Sequence, residues 1–316
     1  LIGVALVYAA TGTVNLALLA ERIPTLDDPV RWGIGLWFLV VFGTKAAVFP
    51  LFSWLPDSYP TAPTTITAVF AGLLTKIGVY SLIRFHTLTG MSDLGWLILV
   101  IAGLTMVVGV AGALAQGDVK RILSFHIVSQ IGYMIMGLGF FSIAGVAATI
   151  VFIIHQIIVK ASLFLVGGLV EESEGTGTID SIQGVAHRSP MIAALFLPAA
   201  LSLAGFPPFS GFVAKLALIE AGFGVEEWFV VGVSLVASVL TLFSMTKIWG
   251  GVFWGRPDGS KPKHLPSGMI GATAALVVVG VVIALAAQPL IEYAELASAE
   301  LLTDGAYRSL VFGAGS

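Results

Sequence analysis

Five lysines stand inside long apolar runs of this sequence: Lys45, Lys76, Lys160, Lys215 and Lys247. An ammonium at the centre of a membrane helix costs roughly 2.5–3.5 kcal/mol. Left facing lipid, the five would cost roughly 12–18 kcal/mol, comparable to or above the net stability of a whole fold. They must mostly face a protein interior or water. Lys45 lies about 20 Å deeper than Arg31 at a rise of about 1.5 Å per residue, too deep for its head to snorkel back to an interface. Lys247 sits nearer the end of its run, where snorkelling suffices and a structural role is equally served. Two histidines extend the row. His126, Gln130 and Tyr133 follow one another at i, i+4 and i+7, a polar stripe on an apolar helix. Gln156 and Lys160 share a helix face, whereas His155 points about 140° away from Lys160. Either histidine alone reads as a core residue bonding a neighbouring helix. Beside five lysines, the row reads as a set of groups able to take up and release protons.

The absences narrow the chemistry. No acid stands at mid-depth, because Asp57, Asp118 and Glu220 lie near segment ends. A buried lysine row without counter-charge is costly, so a carboxylate is expected from a preceding segment or a neighbouring subunit. The chain opens on an apolar run at Leu1, without Met, a basic stretch or a cleavage site, as expected of the interior of a longer protein. There is no cysteine, which excludes disulfides and thiol chemistry. No phosphate-binding glycine loop, zinc-type histidine spacing or nucleophile motif is present, so neither a cofactor nor a metal is expected. The net charge of −3 argues against a nucleic-acid partner.

The elements that must position these residues are membrane helices. Of 316 residues, 57% are hydrophobic and 10% charged, against about 25% charged in soluble domains. The chain reads as an all-α polytopic membrane protein with nine apolar segments, near 1–20, 31–56, 63–86, 94–116, 119–140, 144–170, 191–222, 227–254 and 268–290. Two are too long and are interrupted. Pro50 stands inside 31–56, five residues after Lys45, and Pro207 and Pro208 stand between Gly205 and Gly211 inside 191–222. Both read as discontinuous helices, which at membrane depth are tolerated only inside protein or beside water. Each is followed by a helix carrying Thr-Lys-Ile, at Thr75-Lys76-Ile77 and Thr246-Lys247-Ile248. Paired interrupted segments point to a transport site. The half-helix beginning near Gly211 is expected to aim its positive end at the break, towards Lys215, with Ser210 serving a freed carbonyl. Lys120, Arg121, Arg188, Arg256, Lys261 and Lys263 fall on one side and Arg22, Arg31, Arg84 and Arg308 on the other. The first side is expected to be cytoplasmic, which leaves the C-terminus outside.

The runs Gly43-Thr44-Lys45-Ala46-Ala47-Val48-Phe49-Pro50, Leu74-Thr75-Lys76-Ile77-Gly78, Asp118 to Ser124 and Ser129-Gln130-Ile131-Gly132-Tyr133 closely resemble the antiporter-like subunits. These are the large membrane-arm subunits of respiratory complex I and of Mrp-type multisubunit sodium/proton antiporters. His155 to Leu165 and Leu203 to Lys215 match as well. The wording from Phe70 to Lys76, and lysine at 215, look most like the D-type subunits of the Mrp branch. The resemblance implies a fold of fourteen helices with two inverted repeats, of which about nine helices are present. Residues 1–86 would complete the first repeat, 94–254 form the second, and 255–316 give a final helix and tail. It also implies a proton relay at Lys45, Lys76, His155, Lys160 and Lys215, with His126, Gln130 and Lys247 as relay or structural residues. The family's partner glutamate for the lysine matching Lys45 has no counterpart in this chain. The expected function is proton translocation within a cation/proton antiporter, with other membrane subunits, protons and a monovalent cation, sodium foremost, as partners, in a bacterial plasma membrane. The alternative from the same fold is a proton-pumping subunit of a complex I-like or hydrogenase-like redox complex. Neither is an enzyme in its own right. A lipid or polysaccharide transferase would cluster its reactive groups at one interface, and a purely structural subunit would not carry lysines at depth.

Overall fold

A computed structural model of the chain describes residues 1–255, 265–303, 307 and 311–312. The described residues form fourteen α-helices joined by turns and short 3-10 or π segments, with no strand. In chain order these are α1 Ile2–Thr11, α2 Leu16–Arg22, α3 Asp28–Ala46, α4 Trp54–Ser58, α5 Thr64–Leu88, α6 Gly95–Ala115 and α7 Val119–Gly139. They continue as α8 Ile143–Glu174, α9 Val185–Arg188, α10 Pro190–Ala204, α11 Ser210–Gly224, α12 Trp228–Ile248, α13 Ser267–Leu285 and α14 Ala287–Leu302. Six described helices are long and apolar enough to cross a membrane, and seven if the bent pair α1–α2 counts as one span. The two remaining segments of the nine are the interrupted ones, α3–α4 and α10–α11.

The centre of the molecule is α8. It packs against α5, α7, α10, α11, α13 and α14, and it carries His155, Gln156 and Lys160. Its partner α7 is buried along almost its whole length, which is why α7 can hold polar groups away from lipid. Helix α6 closes on α7 where Gly109 meets the backbone of Ser129, and Ser129 Oγ donates to Met106 O at 3.0 Å.

Both expected segments are interrupted, and both end their first half the same way. Helix α10 stops at Gly205 (φ 87°), with Gly205 N–H donating to Ser202 O and Phe206 N–H to Leu201 O. Helix α3 stops at Ala47 (φ 65°), with Ala47 N–H on Thr44 O and Val48 N–H on Gly43 O. Each is a Schellman termination, which satisfies two otherwise orphaned carbonyls. The first break therefore starts at Ala47, two residues after Lys45, and not at Pro50 as expected. Pro50, Pro207 and Pro208 lie within the turns that follow. Trp54 Nε1 donates to Thr44 O at 3.0 Å and ties the far side of the break to the end of α3.

Three further features depart from the expected segments. The span 1–20 is not one helix: Gly12 (φ 71°) ends α1, Asn15 Oδ1 accepts from Ala17 N at 2.9 Å to cap α2, and the axes turn by 57°. The C-terminal region holds a second helix, α14, which crosses α8 and α5. Helix α12 runs into a π-helical turn, Trp249–Phe253. The two polar sides expected from the charges are each held together. On one, Arg121 pairs with Asp57 at 3.0 Å, Lys120 with Glu171 at 2.5 Å, and Arg188 with Glu174. On the other, Arg31 pairs with Asp93 and, at 3.2 Å, with Asp28. Arg256, Lys261, Lys263 and Arg308, which also entered that expectation, lie outside the described residues.

Candidate functional site

Three of the five lysines are buried in one row through the middle of the molecule. Lys76 on α5, Lys160 on α8 and Lys215 on α11 are 5%, 0% and 4% exposed. Lys160 is close enough to feel the charge of both of the others. Their ammonium groups are met by backbone carbonyls: Lys76 Nζ donates to Ala71 O at 2.5 Å, Lys160 to Leu123 O at 3.4 Å, and Lys215 to Ala204 O at 3.0 Å. The Lys160 bond is long for an N–H···O contact, so that ammonium is the least satisfied of the three. No aspartate or glutamate is among the buried described residues. Among the described residues, no three histidine, aspartate or glutamate side chains gather as a metal-binding group.

The second break organises the end of the row. Ala204 O is the last carbonyl of α10, so Lys215 meets the negative end of a half-helix, although it is borne by α11. The expectation that it faces chiefly the positive end of α11 is thus corrected: the side chain reaches back across the break. Ser210 does not serve a freed carbonyl either. Its Oγ lies 2.8 Å from His155 Nδ1 and 3.1 Å from Ser202 Oγ, and so joins α8 to both half-helices. Gly211 is needed there, since a Cβ would overlap Ser202 O and come within 3.0 Å of His155 Cε1. The Lys215 ammonium also lies 5.0 Å from the Tyr133 ring centroid, a cation–π contact. Tyr133 in turn stacks on Phe152 at 5.4 Å and donates to Ser234 O at 2.5 Å.

The stripe read on α7 faces the row. His126 Nε2 lies 2.9 Å from Ser244 Oγ of α12, and Gln130 accepts from Gln156 Nε2 at 3.2 Å. His126 and His155 both feel the charges of Lys160 and Lys215.

Two lysines fall outside the row. Lys45 is exposed on α3 and forms no ion pair with a described residue. Its partner carboxylate was expected from outside this chain, and the described residues leave the face that bears Lys45 open. The end of α3 does lie against α5, because Gly78 touches Ala46 and Lys45 backbone atoms, but the Lys45 side chain is turned outward. Lys247 is half-buried and donates to Leu114 O at 2.9 Å and Gln116 O at 2.6 Å, capping the C-terminal end of α6. Sequence reasoning passed over Ser202, Ser244 and His86. The serines carry no signal of their own. His86, fully buried with Nδ1 3.0 Å from Leu82 O, sits at the end of an apolar run, where a histidine reads as interfacial.

The comparisons with known proteins agree with this fold. Residues 1–241 match the family model described as NADH:quinone oxidoreductase/Mrp antiporter, TM. The chain is 42% identical over 313 residues to the D subunit of the Na(+)/H(+) antiporter of Alkalihalophilus pseudofirmus, covering 97% of this chain and 64% of that protein. It is 34% identical to the D subunit of the Na(+)/H(+) antiporter of Bacillus subtilis, covering 97% and 63%. Among solved structures, a chain of the Mrp complex from Dietzia sp. superposes with a TM-score of 0.90 at 35% identity, over 99% of this chain and 67% of that one. A chain of an archaeal membrane-bound sulfane sulfur reductase gives 0.90 at 27% identity, over 98% and 64%. The chain thus spans a little under two thirds of the length of the curated relatives it matches, and it belongs to the NADH:quinone oxidoreductase/Mrp antiporter transmembrane family.

Proposed function

We propose that this chain is a proton-translocating part of a multisubunit sodium (cation)/proton antiporter, a secondary transporter component and not an enzyme, seated in a bacterial plasma membrane beside other membrane subunits. The observation that carries the reading is the row Lys76, Lys160, Lys215 with His126 and His155, buried together with no carboxylate among the described residues to fix any of them as a permanent ion pair. A lysine pinned by a carboxylate is held charged, whereas one met by carbonyls can lose its proton without leaving an uncompensated anion. Protons would pass between Lys76, Lys160 and the Lys215–His155 pair. Lys45 joins the relay from its exposed position, against a carboxylate supplied by a segment or subunit outside this chain. The relatives named as D subunits of Na(+)/H(+) antiporters support sodium as the exchanged cation.

Vesicles carrying the whole complex test the reading. Sodium-driven proton flux is expected without any reductant, and Lys160→Ala is expected to abolish it while the complex still assembles. A second reading, a proton-pumping subunit of a redox-driven complex, has in its favour the likeness to the sulfane sulfur reductase and to respiratory complex I of Thermus thermophilus (TM-score 0.80, 25% identity). Flux that appears only when a reductant is supplied would favour it.

A further inference from the structure

No hydrogen bond joins Lys160 to Lys215 among the described residues. Lys160 bonds at the level of Leu123 on α7, and Lys215 lies over Tyr133 on the same helix. Those two α7 positions are about 15 Å apart along the axis, at about 1.5 Å per residue. The stretch of α7 between these positions lies beside the route from one lysine to the other. One polar cross-link occupies it: Gln156 Nε2 donates to Gln130 Oε1 at 3.2 Å, tying α8 to α7. Both side chains are buried, at 0% and 1% exposure. The bond uses one donor and one acceptor of the pair. Gln130 Nε2 and Gln156 Oε1 have no partner, and neither do His126 Nδ1 one turn before and His155 Nε2 beside Gln156. The other unpartnered buried side-chain atoms among the described residues are Thr75 Oγ1 and His86 Nε2. Buried polar groups left unpaired are costly, and where several gather in one place a small molecule with both donors and acceptors completes them.

We infer that the Gln130–Gln156 pair is a water-binding site that carries protons between Lys160 and the Lys215–His155 end of the row. This rests on the relay reading above. The free Nε2 offers a donor and the free Oε1 an acceptor, so the pair orients the waters it holds. The amides do not themselves titrate. Each hop breaks one N–H or O–H bond and forms another, moving one proton and no electrons. Turning both amides over preserves the cross-link, with Gln130 Nε2 now donating to Gln156 Oε1, and exchanges the free donor and acceptor. The same pair can therefore restore the orientation of the waters after a proton has passed. Gln130 and Gln156 are positioning residues, acting through water on the lysines.

The test uses the complete antiporter complex in vesicles, with assembly checked by co-purification of its subunits. Gln156→Leu is expected to lower the maximal exchange rate at least tenfold, with the half-saturating sodium concentration unchanged. Gln156→Asn, which keeps the donor and acceptor, is expected to retain at least a third of the parent rate. If the leucine complex fails to assemble, Gln156→Met is read against the same thresholds. An exchange rate within twofold of the parent for the apolar variant overturns the inference, as does an equal loss in the asparagine variant, which marks a packing role. Lys160→Ala is run beside them. If it exchanges at the parent rate, the relay reading itself is wrong. If it is inactive while the apolar variant is near normal, only the water site is wrong.

Discussion

Two lysines of similar sequence setting separate at the residue scale by what their ammonium groups meet. Lys247 donates to two carbonyls at the end of α6, and a charge-assisted bond of this kind is worth about 1.5–3 kcal/mol. Lys247→Met is expected to lower the thermal stability of the solubilised complex while leaving cation/proton exchange within twofold of the parent. A lost exchange in a complex of unchanged stability would place Lys247 in the relay instead. Lys215 is different. Its stem runs close past Gly205, where a Cβ would lie 2.8 Å from Lys215 Cδ. Lys215→Arg keeps the charge but cannot release a proton. It is expected to fail as completely as Lys215→Ala. An arginine variant exchanging at near the parent rate would make position 215 a fixed charge and remove it from the relay.

Close approach at the scale of elements decides more than hydrophobicity. Gly78 on α5 touches the end of α3, where a Cβ would sit 2.5 Å from Ala46 N. Gly78→Ala must push the two helices apart, at a cost of about 1–3 kcal/mol. Gly33 on α3 has nothing within 4 Å, and Gly33→Ala is expected to gain up to about 1 kcal/mol of helix propensity. Opposite shifts in the unfolding temperature of the two variants would bear this out, and a neutral Gly78→Ala would refute the contact. The same scale shows what was legible. Lys76, Lys160 and Lys215 could be read as buried because a charge inside an apolar run has few alternatives. The outward turn of Lys45 could not. Helix α3 is apolar on both covered and open faces, with Leu36, Val40 and Val41 exposed, so in a membrane chain no periodicity marks the inner face. The stop at Ala47 was hidden for a similar reason, since alanine gives no signal for a left-handed residue, whereas Gly12 and Asn15 did signal the bend that a window of apolar residues smoothed over. Helix α14, with its several glutamates, fell below any reading based on apolar length. The contacts of Ser210 with His155 and Ser202, and of Ser244 with His126, could not be read, because they form only where separate helices meet.

The molecule as a whole has two polar ends, and orientation is the property that follows from them. One end carries Lys120, Arg121 and Arg188, linked by the pairs with Glu171, Asp57 and Glu174. The other carries Arg31 and Arg84. Tyr307 lies at this second end, with its ring 4.1 Å from the Arg84 guanidinium carbon, opposite Lys120. Lysine and arginine near the ends of spans are retained on the cytoplasmic side, and acidic partners weigh little in that balance. The side of Lys120 is therefore expected to face the cytoplasm, and the side of Arg84, with the C-terminal helix α14, the exterior. The chain contains no cysteine, so single introduced cysteines report without background from this chain. Ser58 and Ser181 are exposed at the first end and Thr25 and Ser92 at the second. In intact cells a membrane-impermeant maleimide is expected to label Thr25→Cys and Ser92→Cys but not Ser58→Cys or Ser181→Cys, and in inverted vesicles the pattern should reverse. Labelling of Ser58→Cys and Ser181→Cys in intact cells would turn the molecule over. The row of lysines would stay where it is, but the mouth from which each of its ends draws protons would be exchanged.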